Sequence, residues 1–339
     1  MTTLQDLREG AYVPNMGEVG IEIETECLNE YRVPPLKYWD AKVDGSLRHI
    51  GIEYILKKPL NHNSAEYKEA IEEFNGVSKK FKFLESTYTS VHVHLNMVDR
   101  EIIHLANFIT LYLIFENTLT RYCGPDRDGN LFCLKTSDAE QSYRTYVDLI
   151  SAISSGRANG YISRLISSQI KYSALNVAPL RNLGSVEVRT HGGSSDVVEI
   201  TRWVDMLMCL YNKAQKFKNP VEIVNLFRDE KKNLSVLNLI FGDLSKYFDV
   251  GYLDKDLKST LYYAAAVASS VKDWDKFSKI EIEKPKFTTK MMIFDEVSVD
   301  NLENRDHWDN PGDREWLAGR LEHYRIARAM NVIEPTGDL

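Results

Sequence analysis

Glutamates and histidines recur in this chain at a spacing of two. GEVGIEIETE places Glu22, Glu24 and Glu26 between Val19, Ile21 and Ile23. GIEYIL sets Glu53 against Ile52 and Tyr54, and SVHVHLN sets His92, His94 and Asn96 against Val91, Val93 and Leu95. In SVEVRTH, Glu187, Arg189 and His191 oppose Val186 and Val188. Alternation with period two is the signature of a strand with one apolar and one polar face. Solvated strand faces usually carry Lys, Thr, Ser and Gln. Here they carry the side chains that ligate cations and move protons.

Taken singly, each pattern has an ordinary explanation: a lysine-bridged strand face, a structural histidine pair or a surface salt pair. Their coincidence on four strands is what points to chemistry. In one sheet, Glu22, Glu24, Glu53, Glu187 and one or both histidines would line a single floor. Bare carboxylates that close would raise one another's pKa values and destabilise the fold. Divalent cations remove the conflict, and an oxygen-rich ligand set with few nitrogens suits Mg²⁺ or Mn²⁺ better than zinc. Zinc hydrolysis is the rival use of H-x-H. It needs a third nitrogen or sulfur donor, which His191 could supply, and it leaves the surplus of glutamates unexplained. Glu26 is left out of the set, as the solvated end of its strand. No G-x-x-x-x-G-K-[ST], G-x-G-x-x-G or G-x-S-x-G motif occurs in the sequence, so a P-loop, Rossmann or hydrolase-elbow site is not supported.

The elements that must position these residues can be read in outline. Ser64 caps a predicted helix over 65–80, a long buried helix runs over 100–122, and Ser195-Asp196 opens another through Trp203 and Leu210. The mixed order of strands and helices predicts an α+β fold, an antiparallel sheet with helices on its dry face. Residues 1–218 read as the catalytic domain and 219–339 as a mainly helical C-terminal region, packed on the domain as a cover or serving as an oligomer contact. Short helices are expected over 220–275, an extended run at 280–287, an Asp/Asn/Gly-rich segment at 301–313 and a last helix at 314–330. The 339 residues carry a net charge of -7 and are 43% hydrophobic, enough for a sizeable core. The mild acidity argues against a broad nucleic-acid surface. Cys27, Cys123, Cys133 and Cys209 are scattered and read as reduced thiols. The N-terminus MTTLQDLREG is polar, with no signal peptide expected. The apolar run from Ile102 to Phe115 is short for a membrane span, which needs about twenty residues.

The ordered set G-x-x-G-I-E-I-E, D-G-S-L-R-H-I-G-I-E-Y-I-L, V-H-V-H-L-N, K-Y-S-A-L-N and S-V-E-V-R-T-H-G-G-S-S-D, followed by a helix with Ile200 and Trp203, resembles the amidoligase family over roughly residues 15–215. These are carboxylate–amine ligases with a glutamine-synthetase-like fold, often found in bacteriophages and bacterial gene clusters. The resemblance implies a curved antiparallel sheet holding ATP and two or three Mg²⁺ ions on a polar catalytic face. It implies metal ligation by Glu22, Glu24, Glu53, His92 and Glu187, with His92 favoured slightly over His94 and both able to face the ATP phosphates. Asp44, in D-G-S-L, becomes a substrate or metal contact. Arg189 takes the position that neutralises the γ-phosphate, with Arg164 and Arg181 as weaker alternatives. Lys171, Tyr172 and Asn176 fall in a region used around the substrates. The implied reaction joins a carboxylate to an amine at the expense of ATP. The substrates would be small molecules, peptides or protein side chains, and the location cytoplasmic, in the host where the protein is phage-encoded. A kinase on the same scaffold, or an inert structural protein, is the alternative.

Overall fold

The computed structural model describes residues 3–7, 15–28, 33–84, 86–162, 165 and 170–277. The expected segments at 280–287, 301–313 and 314–330, and Arg164, lie outside the described residues. The fold is α+β. Six strands, β1 (Val19–Cys27), β2 (Trp39–Val43), β3 (Ile50–Leu56), β4 (Ser90–Asn96), β5 (Leu175–Asn176) and β6 (Ser185–Gly192), form one open sheet in the order β2-β3-β1-β4-β6-β5. Every neighbouring pair is antiparallel. The helices are α1 (Leu4–Leu7), α2 (Ala65–Lys80), α3 (Ile102–Tyr122), α4 (Glu140–Ser154), α5 (Ala158–Ile162), α6 (Val197–Ala214), α7 (Pro220–Leu226), α8 (Asn233–Phe241), α9 (Leu253–Ser269) and α10 (Trp274–Phe277).

The four alternating segments are β1, β3, β4 and β6. Their aliphatic residues, Ile21, Ile23, Val91, Val93, Val186 and Val188 among them, are buried. Helices cover that side. Trp39 Nε1 donates to the Ala70 carbonyl of α2 at 2.8 Å, and the Tyr54 ring meets Phe74 edge-on at 5.3 Å. Tyr112 of α3 shares a 2.7 Å hydrogen bond with Thr190 of β6. The caps follow the sequence: Ser64 Oγ accepts from Tyr67 N at 3.1 Å, and Asp196 Oδ1 from Val198 N at 2.8 Å, each satisfying an amide the helix itself cannot.

The strands that alternation missed are the two edges. β2 buries only Trp39, and β5 has two residues, so neither is long or two-faced enough to show a period. The long helix forms where expected, but its apolar stretch extends past Phe115: α3 has 21 residues, enough by length and composition to cross a membrane. Burial, not length, identifies it as a core helix, since 89% of its most apolar stretch is buried. Its polar residues tie neighbours together. Asn107 Nδ2 donates to the Ala214 and Phe217 carbonyls at 3.0 and 2.8 Å, ending α6. Thr260 Oγ1 of α9 donates to the Ile114 carbonyl at 2.6 Å, and Arg121 grips Asp256 of α9 with two bonds of 2.9 and 2.8 Å. One cluster of buried apolar side chains runs from Leu4 to Phe277.

Glu116 is the acid inside α3, buried with both carboxylate oxygens accepting from Thr136 N at 3.1 and 3.0 Å. Burial raises its pKa to about 8, against the hydrogen bonds from Thr136. A carboxyl whose folded pKa exceeds its unfolded value binds the extra proton in the folded state. Its contribution to stability is therefore complete below the unfolded value of 4.5 and is lost as pH rises through about 8. Glu116→Gln, which keeps an acceptor and a donor but cannot ionise, should gain on the wild type between pH 5 and 8.5 by as much as a few kcal/mol. Urea unfolding at both values reads this out, and a difference independent of pH would refute it.

Candidate active site

Cross-strand register decides which side chains meet. Glu22 lies opposite His92, His94 opposite Glu187, and Glu187 opposite Asn176. Glu24 lies opposite Glu53, which in turn faces Lys42. Glu22 and Glu187 thus each meet a nitrogen-bearing neighbour on a central strand or at β5. The exception is the Glu24–Glu53 pair, like charges set directly opposite, an arrangement that costs stability.

His92 sits at the centre of the floor and is buried. Its Nδ1 is 3.2 Å from Glu22 Oε2 and 3.4 Å from Glu187 Oε1. On its other side, Nε2 is 2.5 Å from Ser90 Oγ, which itself donates to Glu24 Oε2 at 2.6 Å. A hydroxyl has one proton, so His92 Nε2 is the donor in that chain. His94 Nε2 lies 3.2 Å from Glu22 Oε1, and its Nδ1 is 3.1 Å from Ser185 Oγ. Arg189 NH1 pairs closely with Glu187 Oε1. Asn176 Nδ2 donates to Glu187 Oε2 at 2.7 Å, while its own oxygen accepts from Ala178 N. Asn176 therefore fixes Glu187. Asp44 Oδ1 accepts from Ser46 N and Oγ at 2.8 and 2.7 Å, closing the turn between β2 and β3.

The electrostatics follow from this packing. Burial opposes the ionisation of Glu22, but hydrogen bonds from His92 and His94, with the charge of both rings, hold it well below the usual carboxylate range. Burial works against Glu187 too, and the Arg189 guanidinium outweighs it. Burial disfavours a charged His94, yet Glu22 and Glu187 raise it above the ordinary histidine value. Glu53 is only partly compensated: burial raises it, the charges of Glu22 and Glu24 add to that, and the charge of His92 offsets too little to keep it below about 7.

All the described residues that the resemblance implied for the site border one cleft of about 710 Å³: the floor acids and histidines, Arg189, Asn176 and Tyr172, with Asp44, Lys171 and Arg181. Two three-residue groups present ligand atoms within 4.8 Å of one another: Glu22, His94 and Glu187, and Glu22, Glu53 and His92. Glu22 is common to both, and each histidine serves one. Oxygen donors outnumber nitrogen two to one in each group, a set that fits hard divalent cations. Glu24 reaches this system through Ser90.

Two expectations are corrected. His191 is not on the floor. β6 carries one residue more than β4 between the pairs Val93↔Val188 and Val91↔His191, so Arg189 and Thr190 together occupy the interval that His92 fills alone. Such a bulge reverses the alternation beyond it. His191 is buried among the helices, its ring 5.4 Å from Trp203 and 6.5 Å from Tyr122, and the third nitrogen that zinc would require does not reach the floor. Glu26, read as a solvated end, is 2% exposed and accepts from Arg48 N at 2.8 Å.

Sequence reasoning also passed over contributors. Ser90 shares the parity of His92 and was legible in the same strand. Arg127, also buried, donates to the carbonyls of Arg189 and Thr190 at 3.0 and 2.8 Å, holding the bulge from a loop with no motif. Tyr88 and Phe132 were also passed over; with Tyr172, which the sequence placed near the substrates, they form an aromatic wall of the cleft, with centroids 6.0 and 5.8 Å apart in succession. Arg48 lies 3.9 Å over the Tyr88 ring.

The raised value of Glu53 yields a test for cations. In metal-free protein its contribution to stability is lost as pH climbs through about 7. Melting temperature should therefore fall between pH 6 and 8, and Mg²⁺ or Mn²⁺ should restore it more at pH 8, where the carboxylate is free to ligate. Glu53→Gln should flatten both responses. Equal metal stabilisation at the two pH values would argue against Glu53 as a ligand.

Residues 57–210 match the model of a family described as "putative amidoligase enzyme". That span contains β4, β5, β6 and most of α6, and so includes both histidines, Asn176, Glu187 and Arg189, while β1 and Glu53 precede it. No curated protein matches the chain. Over that span, a little under half of the 339 residues, the chain is similar to the amidoligases.

Proposed function

We propose that this protein is an amidoligase, an ATP- and magnesium-dependent carboxylate–amine ligase on a glutamine-synthetase-like sheet that forms its amide through an acyl phosphate. The observation that carries this reading is the sharing of Glu22 between two ligand groups beside the buried guanidinium of Arg189. A lone cation site would serve many proteins. Two sites bridged by one carboxylate, with an arginine against them, suit a multiply charged phosphoryl group.

A carboxylate resists amine attack because its leaving group would be oxide. Transfer of the γ-phosphoryl to a carboxylate oxygen releases ADP and makes phosphate the leaving group. The amine then adds to the carbonyl carbon, phosphate departs, and the nitrogen loses a proton. Cations held by Glu22, Glu53 and His92, and by Glu22, His94 and Glu187, would supply charge neutralisation for the transferring group. Arg189 contributes a fixed positive charge, which Glu187 aims and which the Arg127-held bulge keeps on the floor side. Lys171, exposed at the rim, gives a further cation for phosphate. Tyr88, Phe132 and Tyr172 offer a face on which a purine base can stack, a contact worth about 1–3 kcal/mol per base.

Incubation with Mg-ATP, candidate carboxylates and hydroxylamine should give a hydroxamate together with ADP and phosphate. ADP without hydroxamate or amide would favour a kinase, and no turnover with any acceptor an inert protein. Glu24→Ala should unfold as cooperatively as the wild type while turnover drops by roughly a hundredfold or more, since the support of His92 is lost with it. Full activity in that variant would remove Glu24 from the machinery, and one tightly held zinc in the purified protein would sink the ligase reading.

A further inference from the structure

A second cavity of about 330 Å³ adjoins the cleft and shares Glu22, His94, Asn182 and Leu183 with it. It opens where the carboxylate floor ends. Along β1 the position before Glu22 on the same face is Gly20, opposite His94, and a side chain there would press on the His94 ring, its Cβ only 3.3 Å from His94 Cβ. Opposite Glu22 on β3 the floor residue is Ile55. Ile55, Met16, Pro59 and Leu183 give this cavity aliphatic walls. Met16 and Leu183 are 51% and 56% exposed, large apolar side chains left in water on either side of a concavity, as at ligand sites.

Charge selects the occupant. Besides Glu22 and His94, the ionisable side chains lining the cavity are Lys57 and Lys58. Lys58 pairs with Glu66 at 2.9 Å, whereas Lys57 Nζ donates to the neutral Leu36 carbonyl at 2.6 Å, which leaves its charge uncompensated by that contact. With Lys58 matched by Glu66 and Glu22 held between His92 and His94, the charge of Lys57 favours an anion over an ammonium ion. The junction at Glu22 and His94 is common to both cavities, and there a ligand in the second can meet a phosphoryl group held in the first.

We infer that the second cavity receives the carboxylate substrate, and that this substrate is an acid with an aliphatic body. The carboxylate lies at the Glu22–His94 junction and the hydrocarbon against Ile55, Met16 and Leu183. The inference rests on the ligase reading above and specifies its acyl acceptor of phosphate. The amine then enters from the first cleft.

Straight-chain acids from acetate to hexanoate, with Mg-ATP and hydroxylamine, provide the test. Hydroxamate formation, as kcat/KM, should rise about fourfold per added methylene until the cavity is filled. Saturation-transfer NMR with Mg²⁺ and a non-hydrolysable ATP analogue should show hexanoate bound and hexylamine not. Met16→Asp should abolish the chain-length dependence and the hexanoate signal and Met16→Leu should keep both, while the affinity for the Mg-nucleotide analogue stays unchanged in each, since Met16 lines the second cavity and not the first. Nucleotide binding with no preference for longer acids, or with hexylamine bound in place of hexanoate, would overturn this inference and leave the ligase reading standing. Failure of the analogue to bind at all would overturn both.

Discussion

Four carboxylates on adjacent strands are the constraint to which the rest of this fold answers. Two unit charges about 4 Å apart repel by roughly 4 kcal/mol at the effective dielectric of a protein surface, and several such pairs would exceed what a domain has to spare. The chain meets the problem pairwise. Register puts His92 against Glu22 and His94 against Glu187, while a buried arginine pairs with Oε1 of Glu187 and Asn176 donates to its Oε2. The remaining conflict is concentrated at Glu53, whose raised pKa shows that burial and its anionic neighbours are only partly offset.

Rigidity behind the floor makes this tolerable. Ile21, Ile23, Val91, Val93, Val186 and Val188 fix the strands to the helical layer, so the acids cannot splay apart to relieve their repulsion. The helix α3 anchors that layer by hydrogen bonds to β6, α6 and α9 at once. Its buried Asn107, Thr110 and Glu116 are all used in this way or capped locally, which explains how a helix so apolar also carries polar groups.

The floor was legible because its chemistry and its geometry share one period. Each alternating segment announced both a strand and the side chains on its open face, and the order of the motifs pointed to the family whose model matches residues 57–210. What escaped had no period. The edge strands β2 and β5 are too short or too exposed to alternate. Arg127 acts through its side chain on two backbone carbonyls, and nothing in C-G-P-D-R marks such a contact. His191 was misplaced for a related reason: a bulge is one residue of extra backbone, and the letters on either side still read as unbroken alternation. The apolar helix was sorted correctly but on length, when the deciding fact was its surroundings.

The bulge in β6 also divides that strand into two readers of one sequence. Before it, Glu187 and Arg189 are in phase with the cleft; after it, His191 is in phase with Trp203 and the helices. The length of the strand is therefore held more tightly than its composition. A conservative replacement on either side disturbs one face, but loss of a single residue between them puts one end out of phase with its own layer. Insertions and deletions here are resisted from two directions, by the chemistry upstream and by the core downstream.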